Sequence, residues 1–183
     1  MVWQRRPEML AVLGLLALVI GLNPAWRHPI VRGVSALASD ARRAIAPTFV
    51  QVLTTPGAQA TISLPGHPGA LAADTGKNTY WAAPVPTPGG VSPVLTVSFD
   101  HAVDIDKVGF TVGGPTDLGI PQSVHLVFTD GSVTDAQLVD TRDFQLVDVD
   151  AHKVTGVQIH VVSVWQQRAS AFALAEVEFW ERR

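Results

Sequence analysis

From Pro56 to the C-terminus, apolar residues never sustain a helical period; they come in short runs that alternate with polar residues. Residues 123–128 (SVHLVF) show it best. In an extended chain Val124, Leu126 and Phe128 share one side, and Ser123, His125 and Val127 share the other. Thr129-Asp130-Gly131-Ser132 follows, a hairpin-turn signal whose glycine accepts positive φ. Similar runs occupy residues 94–99, 107–112, 136–139, 144–149, 155–164 and 172–180, with turn residues between them about every eight to twelve positions. In the last run Val177 and Phe179 lie on one face, and Glu176, Glu178 and Trp180 on the other. This spacing belongs to sandwiches and barrels, so residues 56–183 read as an all-β domain.

Composition narrows the partners. The formal net charge is −3 and the basic residues are scattered without interleaved aromatics, which gives no footprint for nucleic acid. Cysteine is absent, so disulfides, thiolate metal ligands and a thiol nucleophile are excluded, and packing must supply the stability.

The first quarter differs from the rest. Residues 1–8 form a short basic head, and residues 9–22 (MLAVLGLLALVIGL) carry no polar side chain. With flanks, residues 9–26 approach the roughly 20 residues that cross a hydrocarbon core, and Trp3 and Trp26 stand where interfacial rings are favoured. A cleaved signal peptide is the alternative, but Ala36-Leu37-Ala38 lies too far beyond the apolar run. The expectation is a single-pass anchor in contact with membrane lipid and with the C-terminal domain outside. Within residues 27–55, Ile30, Val34, Leu37, Ala41 and Ile45 recur at helical spacing, predicting a juxtamembrane amphipathic helix or stalk.

The β region also carries a resemblance. Ala60-Thr61-Ile62-Ser63, then Asp74, Thr79 and Trp81 of ADTGKNTYW, then Phe99, residues 103–110, Thr129-Asp130-Gly131 and Ala175-Glu176-Val177-Glu178-Phe179 follow one another in a distinctive order. That order, over residues 59–180, resembles the discoidin, or coagulation-factor C-type, domain, a galactose-binding-like jelly-roll β-sandwich. The resemblance implies that the Asp-to-Trp loop folds over one part of the sandwich with Trp81 in the core.

It also implies a structural calcium held by hard oxygen ligands from Asp74, Thr79 and Glu176. This chain departs at the second loop position, where Gly76 replaces an acid or amide and Lys77 adds a cation. The alternative is a loop closed by hydrogen bonds from Asp74. Ligands of such modules meet loops, here residues 82–93, 113–121 and 165–170. In the third loop Trp165 offers a plate for a sugar ring, and Gln167 and Arg168, with Gln166, can reach hydroxyls. The alternative there is a packed aromatic beside a solvated cation.

No nucleophile elbow, phosphate-cradling loop or zinc-protease motif is present. The expected function is therefore non-catalytic: a membrane-anchored binding module for a glycan or other cell-envelope polymer. The rival expectation is an accessory or structural subunit docking onto a membrane-bound partner protein.

Overall fold

The computed structural model describes residues 48–52, 57–76, 78–166 and 168–183. Nine strands account for most of them: β1 (Phe49–Gln51), β2 (Gly57–Ala60), β3 (Trp81–Pro84), β4 (Val94–Thr111), β5 (Pro121–Phe128), β6 (Val133–Gln137), β7 (Gln145–Val164), β8 (Ala171–Leu174) and β9 (Glu176–Arg182). All strand pairs are antiparallel.

Two long strands organise the sandwich. The first half of β4 pairs with β2 on one side and the last part of β7 on the other, and β7 continues the ladder into β5 and β6. The second half of β4 pairs with β9 and the first part of β7, and β1 closes that ladder beyond β9. Between the halves the register shifts at Ser98/Val103, Val103/Ile105 and Ile105/Lys107. Bulges of this kind bend a strand, so β4 and β7 each serve both ladders. The sequence pattern predicts separate strands at 94–99 and 107–112, and at 144–149 and 155–164; each pair is one continuous bent strand. Conversely, the 172–180 run breaks at Ala175, leaving β8 to pair with β3 and β9 with β4.

Alternation supplies the core as expected. Leu95, Val97, Val124, Leu126, Val157 and Ile159 from one ladder meet Val108, Phe110, Val177 and Phe179 from the other. Trp81 is completely buried, edge-on to Phe172 at 5.2 Å, and its Nε1–H donates to Ile62 O and Ser63 Oγ, both at 3.1 Å. A buried indole needs such an acceptor. Tyr80 is half-buried and stacks on His67 at 4.2 Å.

Two expectations are corrected. The single-pass membrane location is overturned: among the described residues no helix is long and apolar enough to cross a membrane, and the helical turn present is a 3-10 segment, Gly69–Ala72. The predicted stalk also runs too far. Phe49–Gln51 pairs with Trp180–Arg182 of β9 and belongs to the sandwich, because this short aromatic and β-branched segment can cover the open edge of β9. The anchor at residues 9–26 and the rest of the juxtamembrane stretch lie outside the described residues.

Candidate functional site

Three connections converge into one loop cluster: residues 112–120 between β4 and β5, 138–144 between β6 and β7, and 165–170 between β7 and β8. Arg142 is its main tie. Its guanidinium donates to the carbonyls of Gly113 (2.8 Å), Gly114 (3.2 Å), Pro115 (3.0 Å) and Leu118 (2.9 Å). A planar fork with five donors suits this role, and a lysine could not reproduce it. Gln166 ties the other two loops, accepting from Ile120 N–H at 2.7 Å and donating to Asp140 Oδ1 at 3.0 Å. Gln145 braces its own loop by accepting from Val139 N–H and donating to Val139 O.

Trp165 stands on this frame. Its Nε1–H donates to Leu138 O at 3.0 Å, which fixes the ring while 39% of the residue stays exposed. Arg168 is exposed nearby in the chain, and Gln167 lies outside the described residues. The structure therefore leaves Trp165 and Arg168 accessible on a braced cluster, and makes Gln166 a structural residue. Sequence reasoning missed Arg142 because a lone arginine in a polar loop carries no local signal; its partners lie more than 20 residues away.

The acidic loop after the 3-10 turn forms a second corner. Asp74 Oδ1 accepts from Gly76 N–H and from Thr79 Oγ1, each at 2.8 Å. Thr79 Oγ1 also lies 2.8 Å from Gly76 O, so one hydroxyl proton faces two acceptors. Alternation predicts Glu176 on the outer face of β9. The loop covers it instead: it is 6% exposed, the Thr75 backbone favours its charged form, and among the described residues its buried Oε2 has no hydrogen-bond partner. Burial pushes its carboxyl up to about 7, and the neighbouring Asp74 and Glu178 charges add to the shift.

Among the described residues the side chains of this corner offer only oxygen, and one buried carboxylate oxygen of Glu176 has no hydrogen-bond partner. Those properties fit a hard cation. Gly76 limits the fit: a Cβ there would strike Thr79 Oγ1 and lie 2.8 Å from Asp74 Oδ1, so the loop cannot carry another ligand side chain at that position. Among the described residues no group of three or more His, Cys, Asp or Glu side chains is arranged to hold a metal, which leaves two carboxylates and a hydroxyl as the side-chain set.

Solved structures share this architecture. The family 32 carbohydrate-binding module of Clostridium perfringens NanJ, in complex with galactose, matches 73% of this chain and all of its own length at 16% identity, with a TM-score of 0.60. The F5/8 type C domain of a Bacteroides fragilis protein matches at 12% identity and a TM-score of 0.62, covering 74% of this chain and 97% of that one. A Streptococcus pneumoniae fucose-binding module matches at 12% identity and 0.57, covering 73% and 99%. The fold is thus that of the discoidin-like, or F5/8 type C, jelly-roll sandwiches, as the motif order implies. No family profile matches the sequence, and no curated protein does.

Proposed function

We propose that this protein is a carbohydrate-binding module that meets its ligand through the loop cluster, with Trp165 as the plate for a sugar ring and Arg168 and Gln167 as hydroxyl partners. The observation that carries this reading is the half-exposed indole of Trp165, held by Leu138 O on loops that Arg142 and Gln166 lock together. A rigid aromatic face with polar groups beside it loses little conformational freedom on binding. The fold neighbours named for galactose and fucose binding support the same ligand class. Retention of the full chain on immobilised galactose, N-acetylgalactosamine or fucose tests it. Trp165→Ala is expected to abolish retention, whereas Trp165→Phe, which keeps a plate but loses the Leu138 bond, retains part of it. Equal retention of the wild type and Trp165→Ala would refute the site.

For the acidic corner we propose a weak structural calcium site formed by Asp74, Thr79 and Glu176. With only two carboxylates its dissociation constant is expected in the range of about 10⁻⁴–10⁻³ M. Calcium would compete with the proton on Glu176, so its stabilising effect should grow as pH rises past about 7. Melting curves with and without millimolar calcium at pH 6 and pH 8 test this, and superimposable curves at pH 8 would dispose of the ion.

A further inference from the structure

Next to the start of β7, and apart from Trp165, lies a concavity of about 400 Å³ lined by Thr111, Arg142, Asp143, Phe144 and Glu178. Its wall is an aromatic ring set in place by a missing side chain. Gly109 sits inside β4, between Glu178 of β9 and Leu146 of β7. A glycine there weakens the strand and marks a close approach. The approaching group is Phe144: a Cβ at position 109 would run into Cε2 of the ring and lie 2.6 Å from Cζ. Trp180 flanks it, with centroids 6.5 Å apart.

Phe144 nevertheless remains 44% exposed. The loop leading into it is among the most heavily braced segments described, through Arg142 on the 113–118 carbonyls and Gln145 Nε2 on Val139 O and Thr141 O. Cover for Gly109 alone would not need carboxylates beside the open ring. Asp143 follows Arg142 directly and is exposed, and Glu178 is half-buried on β9. Among the described residues neither carboxylate forms an ion pair, and the Arg142 cation is engaged only by carbonyls. A fixed aromatic face, the Glu178 carboxylate, Oδ1 of Asp143 (its Oδ2 already accepts from Thr141 Oγ1 at 3.0 Å) and the Thr111 hydroxyl are the elements that recognise a hydroxylated ring. The guanidinium in the same wall offsets part of the acidic charge, which favours a neutral sugar over a cationic amine.

We propose that this concavity is a second sugar subsite, in which the apolar face of a pyranose stacks on Phe144 and its hydroxyls donate to Asp143 and Glu178. The inference rests on the carbohydrate reading for its ligand class, not on Trp165. The test is an amide-resonance titration of the isotopically labelled full chain with galactose, N-acetylgalactosamine and fucose in turn. Saturable shifts at Thr111, Asp143, Phe144 and Glu178 are expected with at least one sugar. Phe144→Ala should weaken that binding about tenfold or more, the scale of losing a stacked aromatic anchor. Asp143→Asn, at an exposed position, should weaken it several-fold and serves if Phe144→Ala does not fold. Shifts confined to the Trp165 loop would overturn this subsite and leave the Trp165 reading standing. Shifts at the four residues that survive both substitutions would also overturn it. Silence from every sugar would end both readings.

Discussion

The two ladders of the sandwich have matching inner faces and contrasting outer ones. Inside, both present alternate Val, Leu, Ile and Phe. Outside, the β5–β6–β7 ladder is mainly polar, with Val133 and Val162 as exposed apolar exceptions. Asp135 Oδ1 meets His125 Nδ1 at 2.6 Å, His125 packs edge-on to His160 at 5.6 Å, and Ser123, Gln137 and Ser163 bond to one another. The outer face of β1, β9, β4 and β7 is aromatic. Phe49 lies under Lys107 and Arg182, Trp180 stands beside Phe144, and Leu146 is half exposed. Two layers built by the same alternation thus differ where burial does not dictate residue type. That freedom is where recognition can be placed.

Substitutions that set inside against outside should break or sharpen this contrast. The largest effect is expected inside: Trp81→Ala removes a fully buried ring and should cost about 3–5 kcal/mol in denaturant unfolding. Trp180→Ala, on the aromatic outer face and only half-buried, should cost well under half of that. Equal losses would mean that the outer face is a second core. Arg142→Lys comes next. It strands carbonyls of the 113–118 segment and should cost about 1–2 kcal/mol while weakening sugar retention more than it lowers the melting temperature. A stability loss with retention intact would separate the loop frame from binding.

Glu176→Gln tests the acidic corner. The folded-state pKa of Glu176 is raised to about 7. A raised carboxylate gives stability that is complete below its unfolded pKa, near 4.5, and lost as pH rises through about 7. Without calcium, wild-type stability should therefore fall between pH 5 and pH 8, and Glu176→Gln should flatten that slope and exceed the wild type at pH 8. A slope unchanged by the substitution would place the titration elsewhere. The smallest expected effect is on the polar face. Burial, with His125 adding, holds His160 below the ordinary histidine value, so its contribution is lost as pH falls below about 6.5. His160→Gln should make the acid limb of the melting curve slightly shallower.

Period-two patterning was enough to read the β class, because burial punishes a wrong residue at every second position; turn residues marked the Thr129–Ser132 hairpin, and the interior place of Trp81 came from the resemblance rather than from the pattern. The hairpin forms as expected: Asp130 Oδ1 accepts from Ser132 N–H and Oγ, and Oδ2 accepts from His152 N–H. The bend that fuses two strand signals into β4 was not legible. Asp100, Asp104 and Asp106 read in sequence as a solvated turn and strand edge; all three lie within β4, where Asp104 accepts from Lys153 N–H and Asp106 from Arg182 N–H. Such long-range bonds leave no local trace. The site was half legible for the same reason. Trp165 stands out as an aromatic in a polar loop, but the partners of Arg142 and Gln166, and the seat that Gly109 makes for Phe144, exist only once distant segments meet.

Isothermal titration calorimetry of the full chain with galactose, N-acetylgalactosamine and fucose tests the carbohydrate reading most directly. The account requires saturable heat with at least one of them, lost on Trp165→Ala in a protein that still melts cooperatively. A folded wild type that takes up none of the three sugars, or a Trp165→Ala protein that binds as well as wild type, would contradict it.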